Sequence, residues 1–146
     1  MRMKIDGKID IGILFLVGKL IFCYIVDDET RVLLNDDSTG DYINASFVKV
    51  NEVPSRRYIL TQGPLPQTAG HFWKMVLEQK CPVIIMLNRF IEKGAPKCFN
   101  YFPEHGKTHS FPDAGCSITC ISEDNKGLYT LRALEIADTS VSFSFM

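Results

Sequence analysis

The chain has almost no excess charge of either sign: its 146 residues carry 16 Lys and Arg against 17 Asp and Glu, for a net charge of −1. Nucleic-acid binding draws on a basic face that displaces counterions, and this balance offers none, so no nucleic-acid partner is expected. Internal repeats and low-complexity tracts are missing, which excludes solenoids and extended linkers. The cysteines Cys23, Cys81, Cys98, Cys116 and Cys120 are odd in number and lack the dense, even spacing of a small secreted scaffold. Reduced and mostly buried thiols in a cytoplasmic setting are the expectation. No uninterrupted apolar run reaches the length of a membrane span.

What is present begins with an unusual leader. Ile9 to Val26 (IDIGILFLVGKLIFCYIV) is apolar apart from Asp10, Gly12, Gly18 and Lys19, and it follows Arg2, Lys4 and Lys8. That outline is similar to a signal anchor, but the run Ile11 to Val17 is short and Lys19 would sit deep in hydrocarbon. No small-x-small cleavage site follows. A buried helix or strand, or a leader joined to a foreign domain, are the other readings, and membrane contact through Ile9–Val26 is the minor one.

The rest reads as one domain, since 146 residues that are 46% hydrophobic suffice for a single core. Asn35 to Gly40 is a loop. Ile43 to Val50 and Arg57 to Thr61 have strand composition and are expected to pair. Gly63-Pro64-Leu65-Pro66 ends that pattern. Thr68 is then placed to cap a helix running to about Gln79, whose Phe72, Trp73, Val76 and Leu77 face the sheet. Cys81-Pro82 stops the helix, and the wholly apolar Val83 to Leu87 predicts a central strand covered on both faces. Glu92 to Pro96 is a polar turn and Glu104 to Gly115 reads as loop. Ser117 to Ile121 and Leu128 to Ile136 return to strand character around Glu123 to Gly127.

Three blocks narrow the class: Asp41 to Ser46 (DYINAS), Tyr58 to Lys80 (YILTQGPLPQTAGHFWKMVLEQK) and Met86 to Pro103 (MLNRFIEKGAPKCFNYFP), with Ile121 to Ile136 (ISEDNKGLYTLRALEI) agreeing more loosely. In this order and spacing the chain resembles the classical protein-tyrosine phosphatases. Within them it is near the non-receptor subgroup that includes a T-cell phosphatase and a relative anchored at the endoplasmic reticulum. The resemblance covers about residues 30–136, leaving residues 1–29 as an atypical leader and 137–146 as a divergent tail. It implies an α/β fold, a twisted mixed sheet with flanking helices, present here only in its N-terminal part. It also implies hydrolysis of phosphotyrosine in proteins through a cysteinyl-phosphate intermediate, in a cytoplasmic protein with possible association with the endoplasmic reticulum.

That chemistry makes strict demands. A thiolate attacks phosphorus from a loop of backbone N–H groups at a helix N-terminus, an arginine clamps two phosphate oxygens, and an aspartic acid protonates the leaving oxygen. No metal or other cofactor is needed. The nucleophile loop of the family reads His-Cys with an arginine six positions after the cysteine. The five cysteines here are followed at that distance by Glu29, Leu87, Glu104, Ser122 and Lys126, and none is preceded by His. The family's Trp-Pro-Asp acid loop is also missing, because the single tryptophan, Trp73, lies in the helix. Phe111-Pro112-Asp113 precedes the Leu128 to Ile136 strand, whereas the acid loop follows it, so a surface turn is expected there. No catalytic residue is assigned.

Supporting positions do match. By resemblance, Glu92 corresponds to the glutamate that orients the catalytic-loop arginine, and Lys97 to the lysine near the acid loop. Gln62 and Asn44 lie in blocks at the rim of the site, or serve as buried hydrogen-bonding residues. Tyr24 is out of register with the family's phosphotyrosine-stacking tyrosine and inherits no role. Cys98, His105, His109, Cys116 and Cys120 include ligand-like His-x3-His and Cys-x3-Cys spacings, but Cys98 already fits a core position of a family block, and no metal is expected. The sequence thus points to a truncated phosphatase product inactive alone. The alternative is a short isoform that acts as a binding or regulatory module.

Overall fold

The structure, a computed structural model, describes residues 13–18 as backbone and residues 28–35, 40–51 and 57–138 in full. Cys23, Tyr24 and the segments 36–39 and 139–146 lie outside the described residues. Its main sheet has five strands: β1 (Ile13–Gly18), β2 (Arg31–Leu33), β3 (Tyr42–Lys49), β4 (Arg57–Gln62) and β5 (Val83–Met86), in the spatial order β2-β3-β4-β1-β5. β2, β3 and β4 run antiparallel, whereas β1 is parallel to both β4 and β5. The sheet is therefore mixed, as the resemblance implies.

The expected pairing of the two strand-like segments is present, with Ala45 opposite Thr61 and Lys49 opposite Arg57. Alternation decides which side chains enter the core: Ile43 and Ala45 on β3 and Ile59 and Thr61 on β4 are buried, while their neighbours are not. β2 is tied to its neighbour by charge, as the Arg31 guanidinium donates to Asp28 at 3.1 Å and to Asp41 at 3.0 Å.

Helix α1 (Ala69–Glu78) follows a 3-10 turn over Pro66–Thr68. Thr68 stands at the N-cap, but its hydroxyl does not cap a helix amide; Oγ1 accepts from the Leu65 N–H at 2.9 Å, closing the preceding turn. Phe72, Trp73, Met75 and Val76 are fully buried, so the apolar face is the one the i, i+3, i+4 pattern gives.

Two expectations are corrected. Val83 to Leu87 does not form the centre of the sheet: among the described residues β5 is an edge strand, Ile85 is 37% exposed and Leu87 66%. The central position beside β4 goes to β1, and an apolar run alone cannot distinguish the two places. Glu104 to Gly115 is not all loop either, since it contains β8 (Thr108–Phe111). The polar segment between is a small hairpin, β6 (Ile91–Glu92) and β7 (Ala95–Pro96). Lys93 and Gly94 both have positive φ, 50° and 76°, which is the backbone of a tight two-residue hairpin turn matched to strand twist.

β8 joins β9 (Cys116–Asn125) and β10 (Thr130–Asp138) in a second, antiparallel sheet of three strands. Phe111-Pro112-Asp113 enters a 3-10 turn over Pro112–Ala114, where Asp113 is exposed and packs beside Gly70 of the helix. One core unites these parts, with Val32, Ile59, Phe72, Trp73, Tyr101, Phe111 and Ile118 in a single buried cluster. No helix among the described residues is long and apolar enough to cross a membrane.

Candidate functional site

Because β4, β1 and β5 are parallel, their carboxyl ends reach the same edge of the sheet, the edge at which α/β proteins place ligands. β4 ends there with Gln62, followed by Gly63 and Pro64, and β5 ends there with Met86, followed by Asn88. The predicted rim pair is joined: Asn44 Nδ2 donates to Gln62 Oε1 at 3.0 Å, and the Thr61 hydroxyl donates to the Asn44 carbonyl at 3.0 Å. Beside them lies a cavity of about 80 Å³ lined by Tyr42, Asn44, Gln62, Pro64 and His71 among others. Pockets for organic ligands run to several hundred Å³, so this one holds a few waters or a small polar group.

Glu92 and Lys97 belong to the β6–β7 hairpin. Glu92 Oε1 accepts the Arg89 N–H at 3.1 Å, and the Lys97 N–H donates to the Phe90 carbonyl at 2.8 Å. Two contacts strap the segment that follows this hairpin to the end of β4. The Phe99 N–H donates to the Pro64 carbonyl at 2.7 Å, and Gly63 packs so tightly on Cys98 that a Cβ added there would lie 2.4 Å from Cys98 Cβ. Asn88 Nδ2 donates to Cys98 Sγ at 3.4 Å, closing the corner. Of the four predicted residues, Asn44 and Gln62 are bonded to each other, while Glu92 and Lys97 each bond to the Arg89-Phe90 backbone, in a segment joined to the end of β4 through Gly63, Pro64 and Cys98.

Asn88 and Tyr101, not singled out from sequence, also gather here. Asn88 Oδ1 and the Tyr101 hydroxyl, like Asn44 Oδ1, are buried without a hydrogen-bond partner among the described residues. Burial pushes the Tyr101 phenol well above its ordinary pKa, with the neighbouring Cys98 adding to the rise. A polar residue directly after the apolar run Val83 to Leu87, and a tyrosine between Asn100 and Phe102, were the available signals.

The four described thiols show no sign of activation. Cys81, Cys98, Cys116 and Cys120 are free and buried. Burial pushes Cys81 up to about 12 and Cys116 up to about 11, and it raises Cys98 and Cys120 as well. A catalytic thiolate needs the opposite shift. Trp73 is equally structural, fully buried with its indole Nε1–H donating to the Tyr101 carbonyl at 2.7 Å. Among the described residues no three His, Cys, Asp or Glu side chains gather to hold a metal ion: Cys116 and Cys120 sit in β9, and His109 faces Ile118 across the sheet.

The open mixed sheet, the helix packed on it and the strapped hairpin at the strand ends define an α/β domain of the tyrosine-phosphatase type. The profile of the protein-tyrosine phosphatase family matches residues 21–144, and the chain belongs to that family. It is similar to human tyrosine-protein phosphatase non-receptor type 2, with 46% identity over 109 residues that make up 75% of this chain and 26% of that protein. Mouse tyrosine-protein phosphatase non-receptor type 4 is 40% identical over 114 residues, 75% of this chain and 12% of its own length. Tyrosine-protein phosphatase 1 of Caenorhabditis elegans is 40% identical over 119 residues, 79% and 11%. The chain therefore spans about a quarter or less of the length of these relatives.

Proposed function

We propose that these 146 residues supply the scaffold and rim of a phosphotyrosine-hydrolysing domain and do not hydrolyse phosphotyrosine by themselves. The observation that carries this is the state of the thiols. The four described cysteines are buried with raised pKa values, and none of the five has a histidine before it or an arginine six positions after it. A cysteinyl-phosphate mechanism needs an ionised, accessible thiol inside an anion cradle. Glu92 and Lys97 are the residues we assign to orienting a clamping arginine and approaching an acid loop, and Asn44 and Gln62 to the rim. The unpartnered oxygens of Asn44, Asn88 and Tyr101 fit this assignment, because buried polar groups are normally hydrogen-bonded. They would receive their partners from further parts of such a domain.

Alkylation of the native chain tests the reading at its chemical root. With every described thiol protonated at neutral pH, iodoacetamide should react more slowly than with free cysteine at pH 7.5. The rate should rise only as pH passes above about 9, the ordinary thiol value from which these groups are displaced upward. A native thiol that reacts faster than free cysteine at pH 7.5 would contradict the assignment.

A further inference from the structure

β1 occupies the middle of the main sheet, yet it comes from outside the segment that defines the family: the profile begins at residue 21, and β1 is Ile13–Gly18. The slot between β4 and β5 is thus a feature of the family-matched body, while its occupant is not. Ile13 to Gly18 pair in register with Arg57 to Gln62 on one side, and Leu14 to Val17 pair with Val83 to Met86 on the other. Without β1, β4 and β5 would face each other across about twice the usual strand spacing of ~4.8 Å, each with a row of unpaired N–H and C=O groups. Such a row is a template for strand addition, with affinity from the main chain and selectivity from apolar side chains. The sequence ILFLVG is the near-continuous apolar run a strand paired on both sides requires, and Asp10 and Lys19 bound it with charge.

We propose that the slot between β4 and β5 is a strand-acceptor site, and that the leader strand Ile13–Gly18 is a separable occupant of it. The site takes an apolar strand in parallel orientation, and the leader fills it equally well when supplied as a free peptide. This goes beyond the phosphatase reading and rests only on the sheet. The leader acts as a built-in ligand, favoured over external strands by the effective concentration its tether confers. Membrane anchoring of the same segment is a competing use, because a strand paired on both edges is not free to enter a bilayer as a helix.

β5 is the reporter, since β1 is its only sheet neighbour among the described residues. In the full chain, hydrogen exchange should find the β5 amides that point toward β1 protected. Leu16→Pro removes an N–H from the middle of the ladder and should expose them. A fluorescein-labelled peptide of residues 10–19 should then bind the Leu16→Pro chain at least 10-fold more tightly than the unaltered chain, whose slot is filled, and should restore β5 protection. A peptide of the same composition in scrambled order should do neither. Protection of the amides that β3 and β4 exchange with each other reports in the same measurement that the body of the variant is folded. Unprotected β5 amides in the unaltered chain, equal peptide binding by both chains, or no restoration in the variant would each overturn the proposal.

Discussion

At Gly63 a single hydrogen atom decides whether two parts of the site can meet. A methyl group there would lie 2.4 Å from Cys98 Cβ, a separation real carbon atoms do not tolerate, and the contact is with the rigid base of a buried side chain. Gly63→Ala should therefore cost about 1–3 kcal/mol in urea unfolding, the usual range for overpacking. Adding Cys98→Gly should recover part of the loss in a double-mutant cycle, a coupling that a purely backbone effect would not produce. Tyr101 makes the opposite prediction. Its hydroxyl is buried and has no partner among the described residues, so Tyr101→Phe removes a desolvated polar group and loses no described bond. The variant should be as stable as the unaltered chain or more stable by up to about 1 kcal/mol. A loss above about 1 kcal/mol would mean that the hydroxyl has a partner after all. Gly63 and Tyr101 were not legible as site residues, because one acts by what it lacks and the other through a contact 28 positions away, the Trp73 indole bond to its carbonyl.

At the scale of elements, the β6–β7 hairpin carries Glu92 and Lys97, and its turn sets their positions. Lys93 and Gly94 both have positive φ, a conformation a side chain resists and glycine accepts. Gly94→Ala should lower stability by about 1 kcal/mol, whereas Lys93→Asn, which tolerates the left-handed region better, should raise it by a few tenths. Thermal unfolding of the two variants would show the opposite signs. The sequence predicted α1 to within a residue or two and the β3–β4 pair correctly, since 3.6-residue and two-residue periodicities are strong over those segments. It misplaced β5 at the centre of the sheet. Four apolar residues in a row state that a strand is apolar, not how many neighbours it has, and among the described residues β5 has β1 alone. β8 was hidden for a related reason: Thr108-His109-Ser110-Phe111 is largely polar, and only its pairing with Cys116 to Thr119 makes it a strand. Asn44, Gln62, Glu92 and Lys97 could be named only through family blocks, because nothing in their local spacing announces a site.

For the whole molecule, the helix and both larger sheets share one core, and among the described residues the thiol at the strand-end face is that of Cys98, buried and with its pKa raised. Family membership and four described thiols with raised pKa values are therefore compatible, which is what a scaffold-and-rim role predicts. As proposed above, this scaffold alone should have no phosphatase turnover. Hydrolysis of p-nitrophenyl phosphate by the purified 146-residue chain tests it most directly. The expected result is a rate indistinguishable from buffer from pH 5 to 8 at millimolar substrate. Saturable turnover that is lost when one of the five cysteines is changed to serine would contradict it.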